Sequence, residues 1–529
     1  MATKVRGARS VRRVLGVIAG AAVVLLAAVA QAGASVTISE FGTPFDNSSP
    51  GGIAVGPDGN VWFTEVQGGG DGLGSLTPDR TSPPTFGNDY YAGTSSRLGN
   101  VATGPDGNLW FTIMGNPDIE IGAMTPTGTL LGPWNTGDLS NGVPPDIVAG
   151  PDGNLWYTAN ADSWIGQITT SGTITQFAAG DCGPRGLPVQ PGAIAAGPDG
   201  NLWYTVDAPA HCNELGRITT SGSVTMFTIP AQATDIAAGP DGNMWFTSAS
   251  GVGEINPTTG SVGMWNTNAP GTSIAPSPCA NDLWFTSGSG SVGKITTSGT
   301  ESMYSLPTSG SDPDDITAGL GGTVWLTEPN GGGGQIARVV DSAPLIACVI
   351  LLPNARFAGP VVNGHQGIKV SWMVQAPGTH GVADASGMNL FGISPAGGPV
   401  PVPIGSFVTF RFDWAGIFPY DDPFDAANAG GQVKIPIKVA PVVGAADEAT
   451  VTWASGDAPS GCGFDVQLKA PGSHDWVTWQ SGVTNLSAQF GPNDPLWAGP
   501  GTYRFRARLR QLTSNAAAGY SAAKSISLS

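Results

Sequence analysis

Charge is scarce in this sequence, and positive charge is scarcer still. Only 12% of residues are Asp, Glu, Lys or Arg, with 22 bases against 39 acids and a formal charge of −17. That balance, with no basic run, argues against nucleic acid or an anionic membrane as a partner. Four histidines and few lysines leave little of the usual apparatus for acid–base catalysis. Five cysteines cannot all pair within the chain, so at least one is free or pairs between chains. Beyond the N-terminal stretch, no apolar run is long enough to span a bilayer.

That N-terminal stretch has the form of an export signal. Lys4, Arg6, Arg9, Arg12 and Arg13 precede an apolar segment from Val14 to Ala30, and Ala30-Gln31-Ala32 is a plausible cleavage site. The expectation is a signal peptide over 1–32 and a mature chain outside the membrane, extracellular or periplasmic. A retained anchor is the alternative. Cleavage would remove five bases and no acid, leaving 17 bases against 39 acids, or −22.

Glycine (79) and proline (44) are abundant, as in folds made of short strands and tight turns. One phrase recurs. It reads Gly56-Pro-Asp-Gly-Asn-Val-Trp62-Phe-Thr64, and returns at 104–112, 150–158, 197–205 and 239–247, with decayed copies at 278–286 and 319–327. The tryptophans Trp62, Trp110, Trp156, Trp203, Trp245, Trp284 and Trp325 lie 48, 46, 47, 42, 39 and 41 residues apart. A period of about 40–50 residues with several strands per copy predicts a β-propeller, here with seven blades over 36–341. One copy parses into four strands: Ala193–Gly197, Asn201–Val206, Leu215–Thr219 and Ser223–Phe227, with Asp199-Gly200 and Thr220-Ser-Gly222 as turns. The tryptophan is read as packing between blades.

The seventh copy has no fourth strand after Gln335–Val339, whereas a spare one stands at Ser35–Phe41. The N-terminal strand should therefore complete the last blade and close the ring. The Gly-Pro-Asp-Gly-Asn turns repeat closely and define a structural face. Loops after the second and fourth strands vary and emerge on the other face, where a site is expected. Cys182 and Cys212 both lie in loops of that face around one blade, which favours a disulfide between them.

The phrase Gly-Pro-Asp-Gly-Asn-Leu-Trp-Phe-Thr, followed by Ile-Gly-x-Ile-Thr, resembles the repeat of the virginiamycin B (streptogramin B) lyases across the whole ring. The resemblance implies a seven-bladed propeller. It also implies magnesium-assisted elimination that opens a cyclic depsipeptide lactone, with glutamates holding the metal and histidines orienting substrate and moving the proton. In that family the residue after Trp-Phe-Thr is commonly glutamate. Here it is Glu65 and Glu328, but Ile113, Ala159, Val206, Ser248 and Ser287 in the other copies. Ring closure makes blades 1 and 7 neighbours, so Glu65 and Glu328 are the candidate catalytic and metal-binding pair, for magnesium or calcium, against two solvated strand-end acids. The ring's single histidine, His211, is the third candidate, against a solvated loop histidine. The lyase set of two histidines is incomplete.

Beyond Asp341-Ser-Ala-Pro344 the composition changes. Residues 345–437, with strands at Ile368–Val374, Phe407–Phe412 and Gln432–Ile437, read as a β-sandwich. The run Gly367-Ile-Lys-Val-Ser-Trp, Thr379-His380, Asp384–Met388 resembles cupredoxin-like domains. His380 matches one copper ligand, but the later loop offers Asp422, Asp425 and Asn428 where a thiolate, an imidazole and a thioether are needed, which disfavours copper and leaves calcium as a remote option. Residues 438–529 read as a second sandwich that resembles fibronectin type III domains, with Tyr503 as a corner tyrosine bonding back to backbone. In its strand, Arg504, Arg506, Arg508 and Arg510 share one face. That row is either a solvated surface or a site for an anionic glycan or a partner domain.

The expectation is thus an all-β chain, a seven-bladed propeller followed by two sandwiches. Its best-supported role is recognition of a small molecule, peptide or glycan at the variable-loop face. The alternative is a metal-dependent lyase using Glu65 and Glu328. A copper electron carrier is disfavoured.

Overall fold

The computed structural model describes residues 36–529 except short stretches, chiefly 44–48, 67–71, 79–82, 92–96, 140–145, 208–211, 331–333, 342–345 and several between 352 and 429. The described residues form strands almost throughout, with one short 3-10 turn at Leu320–Gly322. No described helix is long and apolar enough to cross a membrane.

Seven sheets follow one another in sequence from Ser49 to Asp341 as the blades of a propeller. Six of them are built from consecutive strands. Blade 4, for example, runs Pro191–Ala196, Leu202–Val206, Glu214–Ile218 and Val224–Thr228 from the inside outwards. Blade 7 is assembled from both ends of the ring. Ile316–Gly319, Thr323–Glu328 and Gln335–Asp341 are joined by Val36–Gly42, which pairs antiparallel with Gln335–Asp341. The N-terminal strand therefore closes the ring, supplying the fourth strand that the seventh copy lacks, and covers the outer edge of blade 7.

The repeated phrase is the ring's joinery. In five blades the indole Nε1 of the buried tryptophan donates to the turn aspartate four residues earlier, from Trp62 to Asp58 through Trp245 to Asp241, at 3.0–3.1 Å. Where the phrase has decayed, a hydroxyl takes over: Ser277 accepts from Trp284 at 3.1 Å and Thr323 from Trp325 at 2.9 Å. The first glycine of the phrase is needed because a Cβ there would sit 2.3 Å from the Trp62 ring at Gly56, with the same approach in the other copies. Each tryptophan from Trp110 onwards also faces an aromatic from its blade's outer strand: Trp134, Phe177, Phe227, Trp265, Tyr304 and Phe41. Against some of these pairs lies a guanidinium, that of Arg217 in blade 4 and of Arg338 in blade 7.

Two sandwiches follow. In the first, Phe357–Ala358, Ile346–Leu351, Ile368–Val374 and Phe407–Phe412 form one sheet, and Val361–Asn363, Gly431–Ile435, Gly416–Asp421 and Ala383–Asp384 the other. Trp372, Phe391, Phe412 and Tyr420 fill the space between. The second pairs a three-stranded sheet (Lys438–Val442, Ala445–Thr452, Ser487–Phe490) with a four-stranded one (Val477–Val483, Cys462–Lys469, Gly501–Gln511, Lys524–Leu528). The Tyr503 hydroxyl donates to Gly499 O at 2.9 Å and accepts from Ala498 N at 2.7 Å. One continuous apolar core runs through both sandwiches, and Trp414 bridges to Ala454 and Ile417 to Gly519 across their junction.

Candidate functional site at the channel mouth

The threonine that ends the repeated phrase does more than fill the blade. Its Oγ1 accepts the backbone N–H of a residue in or just before the inner strand: Asn100, Asp146, Ala193, Asp235, Ser273 and Asp315, from Thr112, Thr158, Thr205, Thr247, Thr286 and Thr327, at 2.9–3.1 Å. These six, with Gly52 in blade 1, form a belt around the channel. Each belt aspartate stitches two blades. Asp146 accepts from Ile147 N and from Ile194 N of blade 4, both at 2.8 Å. Asp235 accepts from Ile236 N and from Ile274 N of blade 6. Asp315 accepts from Ile316 N and, across the ring closure, from Ile53 N at 2.9 Å. Gly52 is the residue that Asn100 permits, since a Cβ there would lie 2.1 Å from Asn100 Oδ1.

The three belt carboxyls are crowded by protein and by one another. Each is pushed up to about 7, first by desolvation and then in part by a neighbouring belt aspartate, while backbone donors oppose the shift. Each is also only part-buried, because one edge faces the channel. Water there softens the effect, but its upward direction follows from the crowding on the other sides. Ser273 Oγ adds a chemical reason. It lies 2.8 Å from Asp235 and 2.9 Å from Asp315, yet has one hydrogen to donate. A proton held by one of the two acids completes the chain.

Above the belt opens a hollow of about 500 Å³, and below it the channel continues. Asp207, Asp314 and Arg97 join the belt acids in lining the mouth. Asp207 and Asp314 are both raised by desolvation. Asp312 raises Asp314 further, and Arg97 lowers it. Five aspartates and one arginine, with no histidine among the described lining residues, make this a pocket for positive charge or for clustered hydrogen-bond donors.

Glu65 and Glu328 are both fully buried rather than solvated. Strand alternation directs them differently. Glu65 shares the face of Phe63, which packs with Trp325 of blade 7. Glu328 shares the face of Leu326, which packs with Trp284 of blade 6. The structure thus gathers Glu328 with Glu40 and Ser311, on the side of blade 7 away from Glu65. Both Glu328 oxygens lack a hydrogen-bond partner. Its carboxyl is raised to about 7 by desolvation and then by Glu40, and the nearby Ser311 hydroxyl opposes this without reaching hydrogen-bonding geometry. Among the described residues no group of three or more His, Cys, Asp or Glu is arranged to hold a metal. His211, Asp422, Asp425 and Asn428 lie outside the described residues, as does the side chain of His380. Cys182 and Cys212 are joined in a disulfide with a Cα separation of 5.9 Å, tying two loops of the variable face.

No curated protein matches the chain. Among solved structures, a catalytically inactive virginiamycin B lyase from Staphylococcus aureus with quinupristin is 24% identical, with 58% of this chain and 99% of that one covered and a TM-score of 0.48. A streptogramin B lyase is 26% identical over 58% of this chain and 98% of its own, with a TM-score of 0.49. The sequence profile of the virginiamycin B lyase family matches residues 90–354, which is 265 of 529 residues and half of the chain. The chain belongs to the virginiamycin B lyase family.

Proposed function

We propose that this member of the family is a recognition protein. It takes a small molecule, peptide or glycan that carries positive charge or clustered donors at the mouth of the propeller channel. The observation that carries the reading is the lining of that mouth, five aspartates and Arg97 around about 500 Å³, without histidine among the described residues. Trilysine serves as a probe in titration calorimetry. Binding is expected, weakened about tenfold or more in Asp207→Asn/Asp314→Asn, since charge-assisted hydrogen bonds contribute about 1.5–3 kcal/mol each. Equal binding by the double variant, or equal binding of triglutamate, would count against this site.

A second reading, a metal-dependent lyase, draws support from Glu328. A buried carboxylate with both oxygens orphaned and its pKa near 7 suits either a general base or a divalent-cation ligand. Glu328, Glu40 and Ser311 would hold magnesium or calcium, which would supply Lewis acidity at a lactone carbonyl. The absence of a third acid in the cluster, among the described residues, weakens it. Export outside the reducing cytoplasm is proposed on the leading basic–apolar segment together with the Cys182–Cys212 bond. The two sandwiches are inferred to be cupredoxin-like without copper ligands and fibronectin-III-like. Support comes from the sequence around His380 and from the Tyr503 corner bonds. Metal analysis of the purified chain finding one copper per molecule would overturn the first of these.

A further inference from the structure

The outer face of the four-stranded sheet in the second sandwich breaks the charge pattern of the rest of the molecule. Lys469, Arg504, Arg506, Arg508 and Arg510 project from two adjacent strands, with Asp465 the acid paired among them. Five cations against one acid gather on one face of a chain whose formal charge is −17.

Asp465 is fully engaged. It bridges Arg508 at 3.0 Å and Arg510 at 2.9 Å, and these guanidiniums hold its carboxyl below the usual range against the cost of burial. Arg506 is held by a neutral partner, Gln467, at 2.6 and 2.8 Å. Its guanidinium lies 4.2 Å from the Trp476 ring and 4.5 Å from that of Tyr520, so it is fixed in place while its charge stays uncompensated.

Lys469 and Arg504 are the anomaly. They sit directly opposite each other in the strand register, and their side chains make no hydrogen bond or ion pair to any described residue. Like charges at paired positions destabilise a sheet by a few tenths of a kcal/mol or more, and nothing among the described residues relieves them. Both line a hollow of about 460 Å³, together with His474, Ser473 and Thr502. Asp475, next to His474 in sequence, is not among its lining residues.

We propose that this face is a binding site for an acidic saccharide, a sugar chain bearing carboxylate or sulfate groups. One anionic group sits between Lys469 and Arg504, and the chain follows the arginine row. Alternate residues of a strand lie about 7 Å apart, so Arg504 to Arg510 present a straight array of about 20 Å, which suits an extended polymer with regularly spaced charges. Guanidinium groups pair with planar carboxylates and with sulfates through two parallel N–H donors. The net negative charge of the remainder is screened beyond about 8–10 Å at physiological salt and does not cancel this local field.

The test uses the full chain on immobilised polygalacturonate, heparin and dextran. Retention on polygalacturonate or heparin and none on dextran is expected, and which of the two holds it identifies carboxylate or sulfate. Lys469→Ala/Arg504→Ala should weaken binding at least tenfold, and Arg504→Glu should abolish it. Unchanged circular dichroism and melting show that the substitutions leave the fold intact. Absence of retention on both polymers at about 50 mM salt, a strength at which charge contacts to a polyanion are still strong, would overturn the proposal. So would parental affinity in the double variant, or salt-sensitive self-association of the chain that the double variant removes.

Discussion

Lowering the pH from 8 to 5 should stabilise the propeller. The reason is the belt. Asp146, Asp235 and Asp315 have folded pKa values of about 7, above the ordinary 3.8. Between those values the folded state binds more protons than the unfolded one. Their stabilising contribution is therefore complete below about 3.8 and is lost as the pH rises through 7. One carboxyl displaced from 3.8 to about 7 corresponds to roughly 4 kcal/mol over the whole window, of which roughly 3 kcal/mol falls between pH 8 and 5. The repulsion is shared among the three and channel water relieves part of it, so the total is on the order of 5 kcal/mol rather than three times the single value. With an unfolding entropy of about 2.1 cal/mol/K per residue, a ring of about 300 residues gains roughly 8 °C. Asp465 works in the opposite sense, but its depressed pKa confines its loss of stability to pH below about 3.8, outside this range. Differential scanning calorimetry at pH 5, 6, 7 and 8 measures the effect. Asp235→Ser/Asp315→Ser, which copies the residue that blade 6 carries at this position in Ser273, should flatten most of it. A melting temperature that is constant or falls towards pH 5, or a double variant that keeps the full rise, would refute the reasoning.

Glu328→Gln should raise the melting temperature at pH 8, where the buried carboxylate is charged, and leave it nearly unchanged at pH 5. A loss of stability at pH 8 would show that a further partner holds the charge. Asp241→Ala strands the buried indole N–H of Trp245 and should cost about 1–3 kcal/mol by denaturant titration. Cys182→Ser/Cys212→Ser opens a closed loop with a sequence separation of 30 and should cost about 2–4 kcal/mol, read as a lower melting temperature in non-reducing buffer.

The ring is legible in the sequence because its signal is local and repeated. Trp-Phe-Thr preceded by Asp-Gly marks a hairpin and an indole acceptor within one turn, and the spare strand at Val36–Gly42 reveals closure by simple counting. The bond between Cys182 and Cys212 can be anticipated because both cysteines sit in loops of one face. The belt escapes a reading of the sequence alone. Its residues precede the phrase by several positions, in Asp146-Ile147, Asp235-Ile236 and Asp315-Ile316, and look individually like ordinary strand starts. Aligning the copies shows a polar residue recurring at one point of an otherwise small and apolar inner strand. Glu65 and Glu328 illustrate the opposite limit. Their position after the threonine is plain in the sequence, but which blade each faces depends on strand alternation within the closed ring. Their burial, too, is a property of the packed neighbours and not of the strand end itself. The arginine row is visible from its period of two. That Asp465 pairs with two of its members and leaves Lys469 and Arg504 unopposed depends on the pairing of strands distant in sequence.

Under the proposed function, this ring recognises a ligand without opening a lactone. Incubation of the purified chain with a streptogramin B and magnesium, followed by mass spectrometry for the linear product, tests it most directly. The cyclic compound is expected to be recovered intact. Accumulation of the linear product, abolished by Glu328→Gln or Glu65→Gln, would contradict it and establish the lyase.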